Sequence, residues 1–255
     1  MKHKIITFGE LMLRLSPDNN ERFTQAHSYE AVYGGGEANT AVSLANFNVD
    51  TRYVTKLPNH TIGQSAVNSL RQYGVDVSRI VRGGDQIGIY FLEKKTSQRP
   101  TNVIYNRNGS AFALATKEDF DWNSIFEGAT WFHFSGITPA ISDNMAEITI
   151  EACKEAKKRN ITVSCDLNYR SKLWSSEKAN KVMSEVCKYV DICIANEDDA
   201  VGIFGMDASK SDKEKNAYIA EELTKMFPNF KMVASVWRTE TSITTFKLQS
   251  MIYTD

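Results

Sequence analysis

From residue 130 onward, short apolar runs alternate with segments whose apolar residues recur at helical spacing. The runs predict strands at 130–135, 161–165, 191–195 and 232–236, and the periodic segments predict helices at 142–159, 176–188 and about 212–227. An earlier apolar run, residues 5–8, predicts a buried first strand that ends at Gly9 and Glu10. Such alternation is typical of an α/β fold with a mostly parallel sheet and helices on both faces.

The first half of the chain has a different pattern. Residues 14–32 and 88–107 alternate polar and apolar positions over short spans, which predicts small antiparallel strands without covering helices. We interpret them as a small β-sheet lid, built from about 11–33 and 88–108, that closes over a substrate. A decorative hairpin or a dimer contact is the alternative. The chain is predicted to form a single α/β domain, residues 1–255, and residues 242–253 to form a β-hairpin.

Composition narrows the class of protein. Hydrophobic residues make up 42% and charged residues 24% of the chain, and the net charge is −1, so nothing favours binding to nucleic acid or to an anionic membrane. Glu10 and Arg14 interrupt the N-terminal apolar run, which argues against a signal peptide or a membrane span and for a cytoplasmic location. The four cysteines lack C-x-x-C spacing and are expected to be buried thiols, and His133 is expected to be structural.

Polar residues follow several of the predicted strands. They are Ser135 and Gly136, then Asp166, Asn168 and Arg170, then Asn196 and Asp199 in a predicted acidic turn at 196–199, and finally Ser235 and Arg238. Ligands bind to open α/β sheets at the carboxyl ends of the strands, so this convergence predicts a binding site. Arg170 can hold a carboxylate or a phosphate through two parallel hydrogen bonds.

A glycine-rich turn, Gly34-Gly35-Gly36, precedes a helix that carries small residues on one face. Glycines at a helix N-terminus let a ligand approach exposed backbone N–H groups. The turn lacks both the dinucleotide-binding fingerprint and the P-loop lysine. We therefore favour a pocket for a neutral or polyhydroxy ligand, with Asn39 hydrogen-bonding a hydroxyl. A tight turn without a binding role fits the glycines equally well.

In their order and spacing, these segments resemble the ribokinase-like (PfkB) carbohydrate kinases, and within them the 2-keto-3-deoxygluconate kinases. The resemblance extends through essentially the whole chain and rests on residues 34–39, 57–58, 63, 73–76, 88–91, 105–111, 135–140, 166–170 and 173–174. It implies a ribokinase-like fold and the ATP-dependent phosphorylation of a sugar acid, 2-keto-3-deoxygluconate, at its terminal hydroxyl. A kinase for a neutral sugar such as fructose or ribose is the alternative.

The resemblance also implies roles for individual residues. The substrate-binding residues would be Gly34, Gly35, Gly36, Asn39, Tyr90, Tyr105, Arg107 and Arg170, and the nucleotide-binding residues would be Asn168, Arg170, Asn196 and Ser235. ATP and Mg²⁺ would be the cofactors. Asp199 would help to organise the metal through water, at a position where the family usually has glutamate. A homo-oligomer formed through the lid is expected.

One element of the family pattern is missing from this sequence. These kinases carry a later G-A-G-D segment whose amides form an anion hole and whose aspartate deprotonates the sugar hydroxyl. The sequence contains no such segment, and Asp255 has no glycine-rich context, so no catalytic base is assigned. We expect this chain to lack the C-terminal part of the fold and to belong to a longer kinase. A truncated, catalytically inactive sugar-binding chain is the alternative.

Overall fold

A computed structural model describes residues 3–96, 99–207, 212–242 and 245–254, without the side chains of 212–214; Asp255, to which no role is assigned, lies outside these residues. The chain divides into two compact units, Met1–Glu127 and Gly128–Asp255. Within the described residues, no helix has the length and apolar character that crossing a membrane requires.

The first unit contains eight strands and three helices within its described residues. In chain order they are β1 (Lys4–Phe8), β2 (Met12–Pro17), β3 (Tyr29–Gly34), α1 (Gly36–Asn46), β4 (Asp50–Val54), β5 (Lys56–Leu57), α2 (Thr61–Arg71), β6 (Val81–Arg82), β7 (Ile89–Glu93), β8 (Asn102–Asn106) and α3 (Trp122–Ile125). Strands β1 and β4 pair in parallel, as do the two-residue strands β5 and β6. The predicted first strand is therefore present.

The segments predicted to form a lid make up one four-stranded sheet in the order β3-β2-β7-β8. The pairs β2–β3 and β7–β8 are antiparallel, as expected, whereas β2 and β7 pair in parallel. The alternating pattern identified these strands but could not show the parallel pairing, because β2 and β7 are joined by more than 70 residues of intervening chain. The small sheet is confirmed, and its function as a lid remains a prediction.

Two apolar clusters fill the interior of the first unit. In one, the ring of Phe8 meets those of Phe112, Phe120 and Trp122 edge-on at 5.2–5.4 Å between centroids. In the other, Ala38 and Ala41 of α1 pack with the fully buried Tyr53 of β4. Small residues on the inner face of α1 let the helix lie close to the strand, and they place its N-terminus beside the end of β1.

The second unit has the alternating architecture that the apolar pattern predicts. Its elements are β9 (Trp131–Ser135), α4 (Ile137–Ala140), α5 (Asp143–Lys158), β10 (Thr162–Asp166), α6 (Ser176–Cys187), β11 (Ile192–Ile194), α7 (Glu197–Phe204), α8 (Asp212–Met226), β12 (Met232–Glu240) and β13 (Phe246–Tyr253). Strands β9, β10, β11 and β12 lie side by side in parallel, and β13 is antiparallel to β12. The mainly parallel sheet is confirmed.

Serine caps fix the starts of the two long helices that flank β10. The hydroxyl of Ser142 accepts a hydrogen bond from the N–H of Met145 at 3.2 Å, and that of Ser175 accepts one from Lys178 at 3.2 Å. Such caps satisfy N–H groups that have no partner within the helix. Both helices therefore begin at the residues that the sequence predicts, and their apolar faces are buried.

Two predictions for the second unit are wrong in detail. Residues 196–199, predicted as an acidic turn, are the beginning of helix α7, which Gly205 ends in the left-handed conformation (φ 66°). Residues 242–253 do not form a hairpin of their own: β13 pairs with β12, which extends to Glu240. The acidic residues are favourable in the first turn of a helix because they face its positive dipole end.

Candidate functional site

The glycine-rich turn joins β3 to α1. Gly34 is the last residue of β3, Gly35 is the N-cap and Gly36 is the first helical residue. A Cβ atom on Gly35 would lie 2.2 Å from the carbonyl oxygen of Glu10, so only glycine fits there. Gly34 and Asn39 line one cavity of about 370 Å³, which also has Tyr33 and Ser43 on its wall. The structure therefore brings two of the residues that are predicted to bind the sugar to the same cavity.

Three other predicted ligands form a second group on the small sheet. Tyr90 of β7 and Tyr105 of β8 are paired residues whose ring centroids lie 5.8 Å apart. The guanidinium carbon of Arg107 lies 5.9 Å from the centre of the Tyr105 ring. Tyr105 is 52% exposed and Arg107 only 8% exposed. The group thus offers exposed ring faces, which suit a sugar backbone, beside a largely buried positive charge.

The structure pairs Arg107 with Glu10, a residue to which the sequence analysis assigned no function. The Nε of Arg107 donates to Glu10 Oε2 at 2.8 Å, and its Nη2 contacts the same oxygen. The hydroxyl of Ser110 donates to Glu10 Oε1 at 2.5 Å. Burial raises the pKa of Glu10, and the charge of Arg107 and the Ser110 hydrogen bond oppose that rise. A charged residue in an apolar run was the available signal, because a buried carboxylate needs a partner.

In the second unit, the segment after β10 carries Asn168 and Arg170. Asn168 has a positive φ of 39°, a conformation that asparagine tolerates better than most residues. The N–H of Tyr169 donates to Asp199 Oδ1 at 2.7 Å. The Arg170 side chain is exposed, and its Nη1 donates a 3.2 Å hydrogen bond to the Tyr169 carbonyl. Its positive charge also opposes the rise in the pKa of Asp199.

Asp199 and Asn196 cap helix α7 reciprocally. Asn196 Oδ1 accepts from the N–H of Asp199 at 3.0 Å, and Asp199 Oδ2 accepts from the N–H of Asn196 at 3.0 Å. Burial raises the pKa of Asp199, although the N–H groups of Tyr169 and Asn196 lower it. Each carboxylate oxygen of Asp199 thus already accepts a backbone N–H. In the part of the chain that the structure describes, no three His, Cys, Asp or Glu side chains are arranged to hold a metal ion.

Two of the residues that are predicted to bind the nucleotide differ in their exposure: Asn196 lines a cavity, whereas Ser235 is buried. Asn196 lines a cavity of about 350 Å³ whose wall also includes Lys215, Trp237 and Arg238. Ser235, by contrast, is 1% exposed on β12, and its hydroxyl has no hydrogen-bond partner among the described residues. Lys215 and Trp237 were not singled out from the sequence, because nothing in their local pattern distinguishes them from ordinary helix and strand residues.

The four cysteines and His133 have the structural roles that the sequence predicts. All four cysteines are free and buried, and burial raises the pKa of their thiols. His133 Nδ1 lies 2.9 Å from the hydroxyl of Ser164, and burial lowers the pKa of His133 to about 4. The histidine is therefore neutral at physiological pH, and it lies half-buried in strand β9.

The glycine-rich turn and the Tyr90–Tyr105–Arg107 group thus stand on an α/β scaffold that has a small additional sheet. The profile of the pfkB family carbohydrate kinases matches residues 2–229, and the chain belongs to that family.

Three relatives show which sugar kinases this chain is similar to. A 2-dehydro-3-deoxygluconokinase from Thermotoga maritima has a crystal structure that superposes with a TM-score of 0.95 at 46% identity, covering 100% of this chain and 77% of that one. A 2-dehydro-3-deoxygalactonokinase from Haloferax volcanii is 37% identical over 81% of this chain. A 2-dehydro-3-deoxygluconokinase from Bacillus subtilis is 28% identical over 69% of it. The chain spans 65% and 55% of the lengths of these last two relatives.

Proposed function

We propose that this chain carries the sugar-acid recognition part of an ATP-dependent kinase that phosphorylates 2-keto-3-deoxygluconate at its terminal hydroxyl. The observation that carries the proposal is the Tyr90–Tyr105–Arg107 group, which sets a buried cation beside two neighbouring tyrosine rings that are tilted by 30° to each other. Relatives named for 2-dehydro-3-deoxygluconate and 2-dehydro-3-deoxygalactonate, which differ in configuration at C4, support a sugar acid.

Arg107 can bind a carboxylate while it remains paired with Glu10. A guanidinium presents five N–H donors in a fixed plane. Glu10 takes the Nε and Nη2 side of that plane, so the Nη1 edge can face a ligand. The tyrosine rings would then cover the carbon backbone of the sugar acid, and Gly34 and Asn39 would contact hydroxyls. A neutral sugar would leave Arg107 without this second partner, which favours the acid.

We assign nucleotide binding to the second unit. Arg170 supplies an exposed guanidinium for phosphate, Asn168 lies beside it in the sequence, and Asn196 lines a cavity that also has Lys215 and Arg238 on its wall. These cations suit a triphosphate. Ser235 also belongs to the proposed set, although its burial gives it the weakest support.

The proposal includes Mg²⁺ with ATP. Each Asp199 oxygen accepts one N–H and keeps a second lone pair, which fits contact with Mg²⁺ through a metal-bound water. When bound, the ion would neutralise charge on the phosphates. The chain's own residues would bind and orient the two substrates. No residue of this sequence is assigned as the base that deprotonates the hydroxyl.

Binding and turnover should be measured together. Calorimetry with 2-keto-3-deoxygluconate, 2-keto-3-deoxygalactonate, fructose and ribose tests recognition, and ADP release tests phosphoryl transfer in a kinase of the relatives' length that includes this sequence. We expect both sugar acids to bind more tightly than either neutral sugar. Arg107→Ala should raise the KM for the sugar acid much more than that for ATP. Equal binding of fructose, or an unchanged sugar KM in the variant, would contradict the proposal.

We also propose that the protein forms a homo-oligomer through the small sheet. Strand β8 lies at one edge of that sheet, and its Ile104 is 50% exposed. Exposed apolar side chains on a sheet edge favour pairing with another chain. Light scattering should show a dimer that Ile104→Lys converts to a monomer; a monomeric parent protein would contradict this.

A further inference from the structure

Glu10 is the point at which three parts of the proposed sugar-acid site meet. It lies two residues after the end of β1 and is 5% exposed. Its carboxylate holds Arg107 and Ser110, which are 97 and 100 residues away in the sequence. The chain therefore uses one buried carboxylate to fix an arginine that is otherwise placed by a distant segment.

The glycines around Glu10 show how closely the backbone is packed against it. A Cβ atom on Gly35 would lie 2.2 Å from the Glu10 carbonyl oxygen, and a Cβ atom on Gly88 would lie 2.5 Å from Glu10 Oε1. Gly35 belongs to the glycine-rich turn, and Gly88 immediately precedes β7, the strand of Tyr90. Glu10 thus lies against the glycine-rich turn through its carbonyl group. Its carboxylate lies against Gly88, before β7, and against Arg107, after β8.

Ser110 holds the other side of the carboxylate. It is 1% exposed, and its hydroxyl donates to Glu10 Oε1. The Ser110 Oγ in turn accepts a hydrogen bond from the N–H of Ala113 at 3.1 Å. The backbone N–H of Ser110 also bonds the Arg107 carbonyl at 2.9 Å. Arg107, Ser110 and Glu10 therefore form a closed set of hydrogen bonds that leaves the guanidinium little freedom to rotate.

A buried ion pair is weak evidence for stability, because well-packed apolar residues often stabilise a core equally well. Its clearest use is to specify one geometry. On the basis of the proposed function, we propose that Glu10 is a positioning residue: it fixes the Arg107 guanidinium so that the Nη1 edge faces the carboxylate of the sugar acid. Glu10 acts through Arg107 and does not touch the ligand.

The test is the preference for a charged ligand over a neutral one of the same shape. Calorimetry compares 2-keto-3-deoxygluconate with its primary amide in the parent protein and in Glu10→Gln. Glutamine keeps the shape but cannot accept from Arg107 and Ser110 as a carboxylate does. We expect the preference for the acid over the amide to fall about tenfold or more, as the loss of a charge-assisted hydrogen bond would cause, while the affinity for the amide changes little.

Controls separate this inference from the proposed function and from simple destabilisation. Asp119→Asn removes another ion pair of the same unit, Lys56–Asp119 at 2.6 Å, and should leave the preference unchanged. If the parent protein shows no preference for the acid, the proposed function fails and this inference fails with it. If the parent prefers the acid and Glu10→Gln retains that preference, only the inference is overturned.

If Glu10→Gln does not fold, a second variant, Ser110→Ala, tests the positioning role of Glu10. Ser110→Ala removes one donor to Glu10 but keeps its charge and its pairing with Arg107. We expect a smaller loss of acid preference, of about two- to fivefold, which corresponds to a fraction of one neutral hydrogen bond. An unchanged acid preference in a folded Ser110→Ala protein would overturn the inference.

Discussion

Gly35→Ala tests the packing of the glycine-rich turn. Gly35 has φ −177° and ψ 155°, an extended conformation that alanine adopts without strain. The added methyl group would, however, lie 2.2 Å from the Glu10 carbonyl oxygen, whereas an ordinary contact requires about 3.4 Å. The two backbone segments must therefore separate by more than about 1 Å. Any loss of stability in Gly35→Ala would therefore come from this steric clash and not from backbone strain.

The size of the effect follows from that displacement. Inserting a methyl group into a packed interior typically costs about 1–3 kcal/mol, and here the obstacle is backbone, which cannot rotate away. We expect the free energy of unfolding to fall by that amount. Moving Glu10 also shifts the carboxylate that holds Arg107, and a misplacement of about 1 Å at a binding site can cost up to about 100-fold in activity.

Gly36→Ala provides the matched control one residue later. A Cβ atom on Gly36 has nothing within 4 Å, and Gly36 is the first residue of α1. Alanine there should be neutral or stabilise by up to about 1 kcal/mol, because it restricts the unfolded chain. Urea unfolding of both variants measures the difference. Equal stability of the two variants would refute the packing argument.

Three further predictions concern the second unit. Because the pKa of His133 falls from 6.5 to about 4 on folding, its contribution to stability is complete above pH 6.5 and is lost as the pH falls towards 4. His133→Asn should remove a pH-dependent loss of about 3 kcal/mol, measured by urea unfolding across that range. Asp199→Asn should destabilise the protein by about 1–3 kcal/mol, because one N–H loses its acceptor, whereas Asp198→Asn, exposed in the same helical turn, should not. Arg170→Ala should weaken ATP binding about tenfold in calorimetry without a change in thermal stability, and Lys172→Ala should leave both unchanged.

The parallel half of the fold could be predicted from the sequence because its strands are buried on both faces. Residues 130–135 and 161–165 therefore appear as short runs rich in aromatic or β-branched residues, and Ser142 and Ser175 mark helix starts through local hydrogen bonds. Helix α7 was missed because Gly202 lowers its helix propensity and its three acidic residues suggest a turn. The pattern of apolar and polar residues therefore predicts a helix or strand reliably only where no residue within the element favours another structure.

The proximity of three of the predicted site residues could be inferred from the sequence, but their connections to other segments could not. Tyr90, Tyr105 and Arg107 come from neighbouring strands of one hairpin, so local sequence could place them together. The pairing of Arg107 with Glu10 depends on a contact across 97 residues, which no local pattern contains. Ser235 follows an apolar run as the other predicted ligands do, yet its side chain points into the interior.

The contact between Glu10 and Arg107 also bears on how the first unit folds. Glu10 is synthesised early, but its partners Arg107 and Ser110 emerge from the ribosome about a hundred residues later. Until then the carboxylate has no stable buried position, because an unpaired buried charge is strongly unfavourable. Contacts between distant residues also slow folding, since the loop between them must first close. The buried contacts of Glu10 can therefore form only after residues 1–110 have been synthesised.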